Sequence, residues 1–155
     1  MITDANRYYG AAVISIVDLS TGAVKIKRIS ESPAGFYFIN DILPIYIKYS
    51  TSRRGPWVFN FHQGQQEFQE SLYKEYKECI MVFICGKDGI AALRHDDFRK
   101  ILDNEFDVQE TVTIRRKHNE MYKVRGKNGA LERRISRSSF EDIFQEHERR
   151  ELIKQ

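Results

Sequence analysis

The chain has 155 residues, 41% hydrophobic and 30% charged, and a formal net charge of +3, a size that suits one domain burying roughly 70% of its unfolded surface. Its longest apolar run, Ile80 to Cys85, is far too short to cross a bilayer. The N-terminus lacks the basic-then-apolar pattern of a secretory leader. These features lead us to expect a cytoplasmic chain with no membrane partner. Cys79 and Cys85 have no companion Cys/His cluster, which excludes a zinc site and reads as two small buried residues in a reducing compartment.

In chain order, Asn6 to Leu19 places Ala12, Val13, Ile16 and Val17 at helical spacing before a Ser20-Thr21-Gly22 stop, which predicts a helix. Alternation of Val13, Ser15 and Val17 keeps a first hairpin strand as the alternative. Ala23 to Ile29 alternates and is β-branched, as a strand does. Phe36 to Ile39 and Ile45 to Tyr49 are further strands around Asn40-Asp41, and Trp57 to Phe61 is a fourth after Gly55-Pro56.

His62 to Glu78 reads as a helix with Phe68, Leu72 and Tyr76 inward. Ile80 to Cys85 has the unbroken apolar character of a strand buried on both faces, and Lys87-Asp88-Gly89 turns into Ile90 to Leu93. His95-Asp96-Asp97 reads as the cap of a helix running to about Asn104. Thr111 to Arg116 and Met121 to Val124 form a pair of strands, and Asn128-Gly129 is a turn. Ser138-Ser139 with Glu141-Asp142 caps a last helix, expected to fray into the charged tail 147–155. No linker divides this single domain, residues 1–155.

The run Pro44 to Phe61, PIYIKYSTSRRGPWVFNF, marks the expected working face. A lysine inside an apolar strand is costly without a partner or a task, so Lys48 either handles phosphate or snorkels to solvent. Arg53 and Arg54 suit phosphate. Trp57 could stack on a base or sit in the core, and His62 could act as a general base or cap a helix. Further basic clusters lie at Arg115-Arg116-Lys117, Lys123 to Lys127 and Arg133 to Arg137. They indicate an anionic partner if they share a face, and solvated turns if they do not.

The order helix, three strands, helix, buried strand describes an α+β fold with a mixed β-sheet flanked by helices, followed by a C-terminal β-hairpin and helix. This order resembles the PD-(D/E)XK, restriction-endonuclease-like core, in which an acid closes the second strand and an acid-x-Lys signature lies in the third. On this chain Asp41 follows the second strand and Lys48 lies in the third, while Tyr46 stands where the family carries the signature acid. Gln65, Gln66 or Glu67 is the substitute at the next helix.

The resemblance implies a protein that binds DNA or RNA through Lys48, Arg53, Arg54, Trp57 and His62. It also implies Mg²⁺ on Asp41, with Asp41 and Lys48 as catalytic residues of a metal-dependent phosphodiester hydrolase, or a catalytically inactive descendant of one. The IKYST…PW…F run is also similar to that of a bacterial protein group, a likeness that carries no function. The rival expectation is an assembly module, forming a homo- or hetero-oligomer through the aromatic loop and a sheet edge.

Overall fold

The computed structural model describes residues 1–154. Helix α1 spans Asp4–Leu19 and opens on a reciprocal cap: Asn6 donates its backbone N–H to Thr3 Oγ1 (3.1 Å) and its Oδ1 accepts from the Thr3 backbone N–H (2.9 Å). Satisfying these otherwise orphaned donors favours the helix over the strand alternative. Three antiparallel strands follow, β1 (Ile26–Arg28), β2 (Phe36–Ile39) and β3 (Leu43–Ser50). Strand β4 (Trp57–His62) and helix α2 (Gln63–Tyr76) then return the chain to β5 (Ile80–Cys85), which pairs parallel to β3. Strand β6 (Gly89–Leu93) closes this sheet in the order β1-β2-β3-β5-β6.

The rest of the chain comprises helix α3 (His95–Ile101), strands β7 (Gln109–Arg115), β8 (Lys123–Gly126) and β9 (Gly129–Ala130), and helix α4 (Ser139–Ile153). A second, antiparallel sheet has the order β4-β7-β8-β9. The α+β class and the mixed sheet agree with the expectation, but β4 does not join that sheet. Its inward residues Trp57, Phe59 and Phe61 are buried while Val58, Asn60 and His62 are exposed. A strand with one wet face fits an antiparallel partner of the same alternation, here β7 with Val112 and Ile114 inside. Strand β5, buried at every position, takes the central place beside β3.

The central sheet therefore carries a core on each face. One core packs Phe36, Tyr46, Met81 and Phe83 against β4, β7, β8 and helices α2 and α3. The other packs Ile45, Ile47, Val82 and Ile84 against α1 and α4. Helix α4 continues through residues 147–153, which the sequence assigns to a frayed tail, because Phe140 and Phe144 anchor it to the sheet. Arg94 adds a tie to α4 through Glu146 at 2.5 Å. Gln155 lies outside the described residues. Among those described, no helix is long and apolar enough to cross a membrane.

Candidate nucleic-acid interface

Alternation along β3 sends Tyr46 and Lys48 to the face that meets β4, and Ile45, Ile47 and Tyr49 to the face that meets α1. Lys48 is partly covered, with Nζ 4.9 Å from the Phe61 ring centroid and 5.7 Å from that of Tyr46. Its ammonium makes no ion pair with a described residue. Burial alone pulls its pKa down to about 8, since two aromatic faces replace only part of the lost hydration. The Tyr46 hydroxyl is buried without a hydrogen-bond partner, and burial raises its pKa far above the ordinary phenol value.

Asp41 is placed elsewhere. With Asn40 it forms the β2–β3 turn, both in left-handed backbone (φ 53° and 62°). Its carboxylate meets Lys25 Nζ at 2.8 Å on the exposed hairpin tip. Lys48 lies five residues beyond the start of β3, roughly 17 Å away at the usual strand rise. The sequence pair is thus not brought together. The substitutes do not supply a second carboxylate either. Gln65 Oε1 accepts from the His62 backbone N–H at 2.8 Å, Gln66 is buried against Glu110, and Glu67 is exposed on α2. Among the described residues no group of three His, Cys, Asp or Glu could hold a metal ion. Asp41 and Lys48 therefore form no shared carboxylate–lysine site.

Trp57 belongs to the core. It is 2% exposed, meets Tyr122 edge-on at 6.0 Å, and donates its indole N–H to the Ser52 carbonyl at 3.0 Å. No base can stack on it. Its bond instead holds the loop that carries Arg53 and Arg54, both exposed. His62 is exposed at the start of α2, on the outer face of the second sheet.

That outer face collects members of three of the basic runs, while Lys127, Arg133 and Arg137 pair with Asp107, Asp97 and Asp88. Arg115 and Lys123 stand directly opposite across β7 and β8, and Arg125 opposes Thr113 two pairs further along, on the same face. Together with Arg134 they line a groove of about 730 Å³ whose single carboxylate is Glu132. No described carboxylate lies within 4.0 Å of Arg115, Lys123 or Arg125, whereas Arg134 pairs with Glu120 at 3.3 Å. Like charges placed opposite one another destabilise a sheet, and here none of the three cations is in ion-pair contact with a described carboxylate.

The neighbouring cations are fixed differently. Arg116 turns inward to grip Asp88 through Nε (2.9 Å) and Nη2 (2.6 Å), and the Tyr122 hydroxyl donates to the same carboxylate at 2.8 Å. The Arg116 bonds hold the Asp88 carboxyl below its usual range. This clamp ties the β5–β6 turn, with the exposed Lys87, to the second sheet. Because Trp57 pairs with Ile114, the Arg53-Arg54 loop emerges at the end of β7 that carries Arg115. Arg53, Arg54, Lys87, Arg115 and Lys123 thus share one end of the molecule.

Lys87 escaped the sequence reading because it sits in an ordinary turn pattern. Comparison with family models, curated proteins and solved structures returned no match.

Proposed function

We propose that the chain binds nucleic acid along the phosphate backbone, through the outer groove of the second sheet and the adjoining Arg53-Arg54 loop. The observation that carries this reading is the opposition of Arg115 and Lys123 on an open face, with Arg125 beside them and no described carboxylate in range. A polyanion placed across the strands relieves this repulsion and releases its own counterions. Threonines 111 and 113 and Asn60 add neutral hydrogen-bonding groups to the same face. With Trp57 in the core, the groove has no aromatic ring on which an unpaired base could stack, which favours a duplex read by its backbone over a single strand.

The element order, with the third strand parallel to the one after the crossover helix, supports a restriction-endonuclease-like core. Asp41 and Lys48 supply no catalytic step in this reading, which makes the chain the binding-only counterpart of such an enzyme. Fluorescence anisotropy with a labelled DNA duplex tests it. Arg115→Glu and Lys123→Glu should each weaken binding about tenfold, while Lys74→Glu, the same charge change on the exposed side of α2, should shift it less than about twofold. Equal effects at all three positions would reduce the interaction to net charge.

A further inference from the structure

A second pocket, of about 400 Å³, opens at the same end of the molecule but on the α1 side of the central sheet. It is lined by Tyr8, Thr51, Arg53 and Lys87. Thr51 and Arg53 follow β3 and Lys87 follows β5, so the pocket lies beyond the carboxyl ends of two adjacent parallel strands. Parallel sheets present their ligand sites at that edge. The Gly86 backbone N–H extends the ladder to the Ser50 carbonyl at 3.0 Å, which holds the two loops at a fixed separation.

The wall of the pocket is aromatic and braced. Tyr8 stacks on Tyr49 with ring centroids 5.0 Å apart and planes 8° from parallel, and Tyr9 meets Tyr49 edge-on at 5.4 Å. The remaining lining is one hydroxyl and two cations. No described carboxylate lies within 4.0 Å of Arg53 or Lys87, although ion pairs are common elsewhere in the molecule. A planar π-face beside two uncompensated cations and a hydroxyl donor matches a ligand with a flat ring joined to a phosphate. The volume falls within the usual range for small-ligand sites.

We propose that this pocket binds a nucleoside monophosphate group, its base on Tyr8 and its phosphate between Arg53 and Lys87, with Thr51 as a further donor. The group comes either from a free nucleotide or from the phosphorylated end of a strand. The proposal goes beyond backbone binding and needs neither a duplex nor the groove of the second sheet.

Titration calorimetry with adenosine 5′-monophosphate, adenosine, and a short single strand with or without a 5′-phosphate tests it. The phosphorylated probes should bind saturably, and each should exceed its unphosphorylated counterpart by about tenfold or more. Lys87→Glu, on an exposed turn, and Tyr8→Leu should each weaken that binding by about tenfold, whereas Tyr8→Phe should stay within about threefold of the parent chain. Tighter binding of the phosphorylated strand than of the free nucleotide assigns the site to strand ends, and the converse assigns it to nucleotides. Absence of saturable binding by both phosphorylated probes, or binding indifferent to Lys87→Glu and Tyr8→Leu, overturns the proposal. Arg115→Glu should leave nucleotide binding unchanged, which separates failure of this site from failure of the duplex groove.

Discussion

Lys48 shows how far a single residue can be read. An amine in an apolar strand was legible as an anomaly, because no strand interior accepts a charge without cost. Its partners were not legible, since Phe61 belongs to another sheet and Tyr46 shares its face only by alternation. With its pKa drawn down to about 8, the folded state holds this proton less tightly than the unfolded chain, where a lysine titrates near about 10.4. The unfolded state then binds more protons between those values, so the Lys48 contribution to stability rises with pH across that window and is unfavourable below it.

The buried thiols of Cys79 and Cys85, whose pKa values burial pushes upward, act in the opposite sense as pH rises. The Lys48 effect therefore has to be read as a difference between variants. Urea unfolding should find Lys48→Met more stable than the parent at pH 7, by on the order of 1–3 kcal/mol, with the gap closing as pH rises from about 8 towards about 10.4. A gap that does not change with pH would mean that the amine is fully hydrated in the fold. Asp41→Ala should leave duplex affinity within about twofold in the anisotropy assay, because a pair this exposed contributes at most about 1 kcal/mol and lies at the far end of β3.

Among the elements, α2 is the one whose interior the sequence half revealed. Leu72 is buried and Phe68 and Tyr76 pack against the core as their spacing indicates, but Gln66 and Gln69 are buried as well. Glutamine reads as a surface residue until its partners are known, and these come from distant segments. Arg99 on α3 donates to Gln66 Oε1 (3.1 Å), Gln69 Oε1 (2.6 Å) and Glu70 (3.0 Å). Glu110 on β7 accepts from Gln66. His95, expected to cap α3, is buried instead, stacked on Tyr73 at 3.5 Å with its Nδ1 2.9 Å from Gln69 Nε2. Burial lowers its pKa.

Arg99→Met removes the shared donor, takes the close arginine partner from the Glu70 carboxylate and leaves the Gln66 and Gln69 amide oxygens without it. It should lower stability by about 3–5 kcal/mol, read as a fall in the urea midpoint. Loss below about 1 kcal/mol would show that water reaches the network. The second element-scale test concerns Gly86, which has φ +55° and whose missing Cβ would come 2.2 Å from the Ser52 carbonyl oxygen. Gly86→Ala must displace the Arg53-Arg54 loop. It should cost at least about 1–3 kcal/mol by the same measurement and weaken both nucleotide and duplex binding.

For the whole molecule, the α+β class and most of the elements were legible because β5 is uniformly apolar, α2 is periodic and α4 opens on a capping pattern, whereas the short β9 lies where the sequence reads only the Asn128-Gly129 turn. The split into two sheets was not, because local alternation cannot say which partner a half-buried strand will choose. That choice also builds the face to which nucleic-acid binding is proposed. By pairing with β7 instead of the central sheet, β4 exposes a face on which Arg115, Lys123 and Arg125 meet, a convergence that separate basic runs along the chain leave open.

The most direct measurement is the salt dependence of duplex affinity for the parent chain and for the Arg115→Ala/Lys123→Ala double variant, as the slope of log Kd against log salt concentration. Backbone binding through Arg53, Arg54, Arg115, Lys123 and Arg125 calls for a slope of magnitude about 3 to 5, reduced by about 2 in the double variant. A slope near zero, or one the double variant leaves unchanged, would contradict the assignment of this face to nucleic acid.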